Sequence, residues 1–212
     1  MRYFFLLFWL VVPVVLPQVA PAQECRSITI GLDTTRADQV GASTTFGEAV
    51  GQTFFAPATA LHSISVWRVA EQDSYPSGLR LYVCNVDSTG MPLTQSLLFP
   101  ARMLTLPFGD GIHPQEFRYV FDPPAVLPAV GRYCFFIQAY PCLYWSDLLV
   151  DAHDGYIDGS FWRTGRSIEG CDVLREFPSN SSSLDLIFTV EFCDQTTPVR
   201  RSSWGAIKRL YR

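Results

Sequence analysis

Leu184-Asp185-Leu186-Ile187-Phe188-Thr189-Val190-Glu191-Phe192 is the stretch that decides the fold class. Leu184, Leu186, Phe188, Val190 and Phe192 alternate with Asp185, Ile187, Thr189 and Glu191. Successive side chains of a strand point to opposite faces, so a period of two over this length describes a strand with one buried face. Residues 116–121 repeat the pattern, with Phe117, Tyr119 and Phe121 set against Glu116 and Arg118. Working outward, strand-like runs occupy residues 27–30, 49–55, 61–69, 79–86, 96–106 and 132–140, and a hairpin is expected through 155–164. Turn chemistry separates them: Ala56-Pro57, Tyr75-Pro76-Ser77-Gly78, Asp87-Ser88-Thr89-Gly90, Gly109-Asp110-Gly111 and Asp122-Pro123-Pro124. With no helical period in the body, the reading is an all-β, antiparallel β-sandwich of jelly-roll type over residues 23–194, with a barrel as the alternative.

The N-terminus sets the compartment. One positive charge at Arg2, an apolar run from Tyr3 to Leu16 and the small-x-small step Ala20-Pro21-Ala22 make the three parts of a secretory signal peptide over residues 1–22. An uncleaved anchor is the alternative, but the run is short of the roughly 20 apolar residues that span a bilayer. Cleavage is expected after Ala22, and the location expected is secreted, periplasmic or cell-surface. All six cysteines survive it: Cys25, Cys84, Cys134, Cys142, Cys171 and Cys193. An even set in an exported chain, without CxxC or Cys/His spacing, reads as disulfides, although six cysteines allow about 15 connectivities. Cys142–Cys171 brackets the least strand-like part of the body. Cys84 and Cys134 run in phase with polar neighbours (Arg80; Arg132 and Gln138) and are expected to pair on an outer face. Cys25–Cys193 would then fasten the first strand to the last.

Charge is uneven. Residues 23–195 carry 10 basic and 20 acidic side chains, which excludes a phosphate-binding face and hence nucleic acid as partner. Past Asp194 there is no acidic residue, yet Arg200, Arg201, Lys208, Arg209 and Arg212 lie there. Trp204, Ile207, Leu210 and Tyr211 fall on one face of a short helix in this tail, residues 195–212. Nine residues do not hold a helix alone in water. The tail is therefore read as docking on an anionic envelope surface, being recognised for sorting, or folding back on the acidic body.

Several stretches resemble a jelly-roll domain of secreted bacterial surface proteins. They are Gly51-Gln52-Thr53-Phe54-Phe55-Ala56-Pro57, Leu79-Arg80-Leu81-Tyr82, Phe121-Asp122-Pro123-Pro124 with Gly131-Arg132-Tyr133, Gly159-Ser160-Phe161-Trp162 with Thr164-Gly165-Arg166, and Asp185-Leu186-Ile187-Phe188. The terminal Trp204-Gly205-Ala206-Ile207-Lys208-Arg209-Leu210-Tyr211-Arg212 likewise is similar to a tail of exported bacterial proteins. Carbohydrate-binding modules share this shape, so the resemblance implies glycan binding by analogy of fold.

No catalytic constellation is singled out. His62, His113 and His153 stand in three separate segments, and no nucleophile elbow, zinc-protease, phosphate-loop or dinucleotide motif is present. Asp147, Asp151, Asp154 and Asp158, with Gly155 and Gly159, offer oxygen ligands for a structural calcium ion, but they do not follow EF-hand spacing, and the exposed acids of a hairpin are the favoured reading. Tyr144, Trp145 and Trp162 are the candidate ligand contacts, flat rings suited to the apolar faces of sugars; Trp67 is expected in the core. Three roles follow: a binding or adhesion module with glycan affinity, a hydrolase on the same scaffold, and a structural envelope component.

Overall fold

A computed structural model describes residues 26–44, 47–72, 78–105, 108–141, 145–165, 174, 177–181 and 183–194. The signal segment, Cys25, Cys142, Tyr144, Cys171 and the tail lie outside the described residues. Among the described residues fourteen strands follow in order. They are β1 (Arg26–Leu32), β2 (Asp38–Thr44), β3 (Ala49–Ala56), β4 (Ala60–Arg68), β5 (Gly78–Val86), β6 (Pro92–Leu97) and β7 (Arg102–Thr105). Then come β8 (Gln115–Val126), β9 (Gly131–Tyr140), β10 (Ser146–Asp151), β11 (Phe161–Arg163), β12 (Ser179–Ser181), β13 (Asp185–Leu186) and β14 (Phe188–Asp194). One 3-10 turn, Thr34–Arg36, links β1 to β2. Among the described residues no helix is long and apolar enough to cross a membrane.

The strands form two antiparallel sheets. The first runs β1-β14-β4-β10-β13, with β2 on β10 and β8 on β4; the second runs β12-β11-β3-β9-β5-β6, with β7 on β5. The main core lies between them. Phe54, Phe135 and Ile137 come from the second sheet, and Ile64, Phe117, Phe188 and Phe192 from the first, all buried. The chain is an all-β sandwich.

The alternating stretch 184–192 behaves as its pattern demands from Phe188 onward. Phe188, Val190 and Phe192 are buried while Thr189 and Glu191 are half-buried. Below Phe188 the alternation fails, for Asp185, Leu186 and Ile187 are all buried. The physical reason is a change of neighbour. Asp185 and Leu186 pair with β10, the Ile187 N–H donates to Leu149 O at 2.9 Å, and Phe188 begins the pairing with β4.

Four expectations need correction. The run 96–106 is two strands, β6 and β7, because Pro100 between them has no N–H for the ladder; each takes a different part of β5. Asp122-Pro123-Pro124 is not a turn but part of β8, opposite the register shift between Leu61 and Ser63. That strand has one hydrogen-bonded neighbour, so its other side needs no donors. The 155–164 segment is no hairpin: β11 pairs with β3 and β12 instead. The region between residues 142 and 171, read as least strand-like, contains β10, whose Leu148-Leu149-Val150 run is buried on both faces and so shows no alternation.

A second, smaller cluster lies on the far side of the second sheet. Tyr82, Cys84, Cys134 and Phe136 alternate along β5 and β9 with Leu81, Val83, Phe135 and Ile137 of the main core, and Leu174 and Trp162 pack over them. Cys84 stands directly opposite Cys134 in the register. The face is thus the outer one of the sheet, yet both residues are fully buried, and both are free thiols. The bridge expected between them is not formed in this structure. Burial pushes the Cys134 thiol well above the usual range, helped by the neighbouring Cys84, and the reactive species of a cysteine is the thiolate. In reduced protein, iodoacetamide is expected to leave peptides carrying Cys84 and Cys134 unlabelled until urea unfolds the domain. Rapid native labelling, read by mass spectrometry, would contradict the closed cover. Cys193 is disulfide-bonded, its partner lying outside the described residues.

Candidate functional site

The connection after β10 builds the site. The Asp154 backbone takes φ +52°, a left-handed conformation that Asp tolerates better than most residues. Gly159 then passes so close to β3 that an added Cβ would clash with the Thr53 carbonyl oxygen. Thr53 holds the strap in place: its N–H donates to Ser160 O at 3.0 Å and its Oγ1 accepts from the Ser160 N–H at 2.7 Å. Between this strap, the Thr34–Arg36 turn and β12 opens a cleft of ≈ 680 Å³, lined among others by Arg36, His153, Asp154, Ile157, Ser160 and Ser181. Ile157 is 91% exposed, an apolar side chain offered to solvent at a polar cleft.

Carboxylates converge behind it. Asp151 and Asp185 are register partners on β10 and β13, and both are buried. Asp185 Oδ1 accepts from Gln52 Nε2 at 2.7 Å and its Oδ2 from the Tyr156 N–H at 2.8 Å. Gln52 Oε1 in turn accepts from the Leu186 N–H at 3.0 Å, so one side chain of β3 ties the two sheets together. Burial pushes the Asp185 carboxyl up to about 6 against those two hydrogen bonds, with the charges of Asp154 and Asp151 adding to the rise.

Asp151 Oδ1 accepts from the His153 N–H at 2.9 Å and faces His153 Nδ1 at 3.2 Å. Its Oδ2 lies 3.4 Å from Arg36 Nε. Asp38, first residue of β2, accepts from the Ala152 N–H and lies 3.5 Å from the same His153 nitrogen.

The two described members of the aromatic set, Trp145 and Trp162, stand at different sheets. Trp145 is 72% exposed just before β10 of the first sheet, whereas Trp162 is on β11 of the second. Trp162 is half-buried against the cysteine cluster, and its indole nitrogen is buried without a hydrogen bond. Trp67 is half-buried against the main core. Nor do the four acids proposed for calcium come together. Among the described residues, the group able to hold a metal is Asp38, Asp151 and His153, which takes one of the four. Asp147 instead lies in the ladder opposite Ser43. Arg36, Asp38, Gln52 and Asp185 were not foreseen at the site. Each is an ordinary polar residue in its own segment, and only long-range strand pairing brings the segments together.

No family model matches the chain, and no curated protein matches it.

Proposed function

We propose that the chain is an exported, non-enzymatic binding module of the surface or adhesion kind, and that it binds a glycan in the cleft beside Arg36. The observation that carries this reading is the make-up of that cleft: a guanidinium, a carboxylate, an imidazole and two serines around one apolar side chain, Ile157. Sugars offer hydroxyls that both donate and accept, together with apolar C–H faces, and such a lining answers both. Trp145, the exposed member of the aromatic set, is a secondary contact in this reading.

A hydrolase on the same scaffold has one observation in its favour, the contact of His153 Nδ1 with Asp151. Against it, among the described residues no serine or threonine hydroxyl is bonded to His153. Asp185, the carboxyl with the raised pKa, is fully buried and accepts two hydrogen bonds from the protein itself, so a substrate has no path to it.

A glycan array probed with the mature domain, followed by calorimetry on each hit, tests the proposal. Arg36→Ala and Asp154→Asn are expected to weaken binding about tenfold each, the loss of one or two hydrogen bonds to a charged group. Asn accepts the left-handed backbone at position 154, so the fold is kept. Binding that survives both changes, or an array without hits, would overturn the reading.

A further inference from the structure

We propose that Asp38, Asp151 and His153 form a binding site for a divalent transition-metal cation of the zinc type. One ligand atom from each lies within 4.8 Å of the others. The two separations from the imidazole nitrogen fit. Ligands held at about 2.0–2.1 Å in a tetrahedron stand roughly 3.3 Å apart, and His153 Nδ1 lies 3.2 Å from Asp151 Oδ1 and 3.5 Å from Asp38 Oδ2. Both distances are long for a charge-assisted hydrogen bond, which runs about 2.7–2.9 Å.

The supports of a metal site are also present. The strand register places Asp38 opposite Val150, next to Asp151. The Ala152 N–H fixes the Asp38 carboxylate and the His153 N–H fixes that of Asp151. These backbone donors reach the same two oxygens that face His153 Nδ1 and hold both carboxylates in place. The Asp151 side chain is only 2% exposed; Oδ1 is the oxygen turned to His153, while Oδ2 makes no hydrogen bond and faces Arg36. Its charged neighbour there is the half-exposed Arg36, with Nε at 3.4 Å. A carboxylate this deeply buried and this poorly solvated gains strongly from a chelated cation.

The donor set chooses the ion. An imidazole with two carboxylates suits zinc and its neighbours in the first row, whereas calcium takes six to eight hard oxygens. His153 is 75% exposed and lines the cleft, so the site is open to the cleft on the side of its imidazole. The site does not depend on the glycan reading.

Mature protein freed of metal by chelator and titrated with zinc chloride in a calorimeter should show one saturable site per chain, with calcium chloride at least tenfold weaker. His153→Ala and Asp38→Asn, at positions exposed and half-buried, should each weaken zinc at least tenfold with unchanged melting of the metal-free protein. No saturable zinc binding, or zinc binding unchanged in His153→Ala, would overturn the site. Glycan binding by the chelated protein would leave the ligand proposal standing in either case.

Discussion

Phe188→Ala is expected to lower the unfolding free energy by about 3–5 kcal/mol, the cost of removing a fully enclosed aromatic ring together with the cavity it leaves. Phe188 is fully buried and sits where the two sheets touch. Its ring lies 5.4 Å from that of Phe135 on β9 and 5.0 Å from that of Tyr156, edge to face. Tyr156 belongs to the strap along the cleft, so the loss should loosen the cleft wall as well as the core. Phe188→Leu, which fills most of the volume, should cost less than half as much. Urea denaturation read by circular dichroism measures both. A change under 1 kcal/mol for the alanine variant would mean the sheets do not meet through this ring.

Asp185 should give the fold a pH dependence opposite in sign to that of most carboxylates. Its folded-state pKa, about 6, is raised above the ordinary 3.8 by burial first and by Asp154 and Asp151 second. Between about pH 4 and pH 6 the folded chain keeps a proton that the unfolded chain has lost. The stabilisation from this group is therefore complete below about pH 4 and is lost as pH rises through 6, by on the order of 2 kcal/mol. Asp185→Asn removes the titration. It also loses one of the two hydrogen bonds accepted from Gln52 and Tyr156, about 1 kcal/mol. The variant should be less stable than the parent at pH 4 and equal or better at pH 8. Parallel stability curves from pH 4 to 8 would show that Asp185 does not titrate in this window.

What was legible in the sequence is what strand periodicity can carry. Phe117, Tyr119 and Phe121 on β8, and Phe188, Val190 and Phe192 on β14, revealed their buried face because the opposite face is wetter. β10 was missed because both of its faces are covered, and β2 because Asp38-Gln39-Val40-Gly41-Ala42-Ser43-Thr44 has too little apolar surface to alternate. Asp185 was placed on the wetted face, and only the handover of its strand from β10 to β4 explains why it is buried. The candidate site was legible in parts. The sequence marked Asp151, Asp154 and Trp145, but their partners come from far along the chain. Asp151 meets Asp38 and Arg36, more than a hundred residues earlier, through a strand register that no local pattern encodes.

The pairing of β1 with β14, from Arg26 opposite Asp194 to Leu32 opposite Phe188, makes closure of the first sheet a long-range event. Among the described strands β1 has no other neighbour. Until β14 docks, β1 presents unpaired hydrogen-bonding edges. The loop that must then close, from β1 to β14, is nearly the whole domain, which makes the closing step slow for reasons of chain topology alone. Of the described strands, the first in sequence is secured only when residues 188–194 are in place.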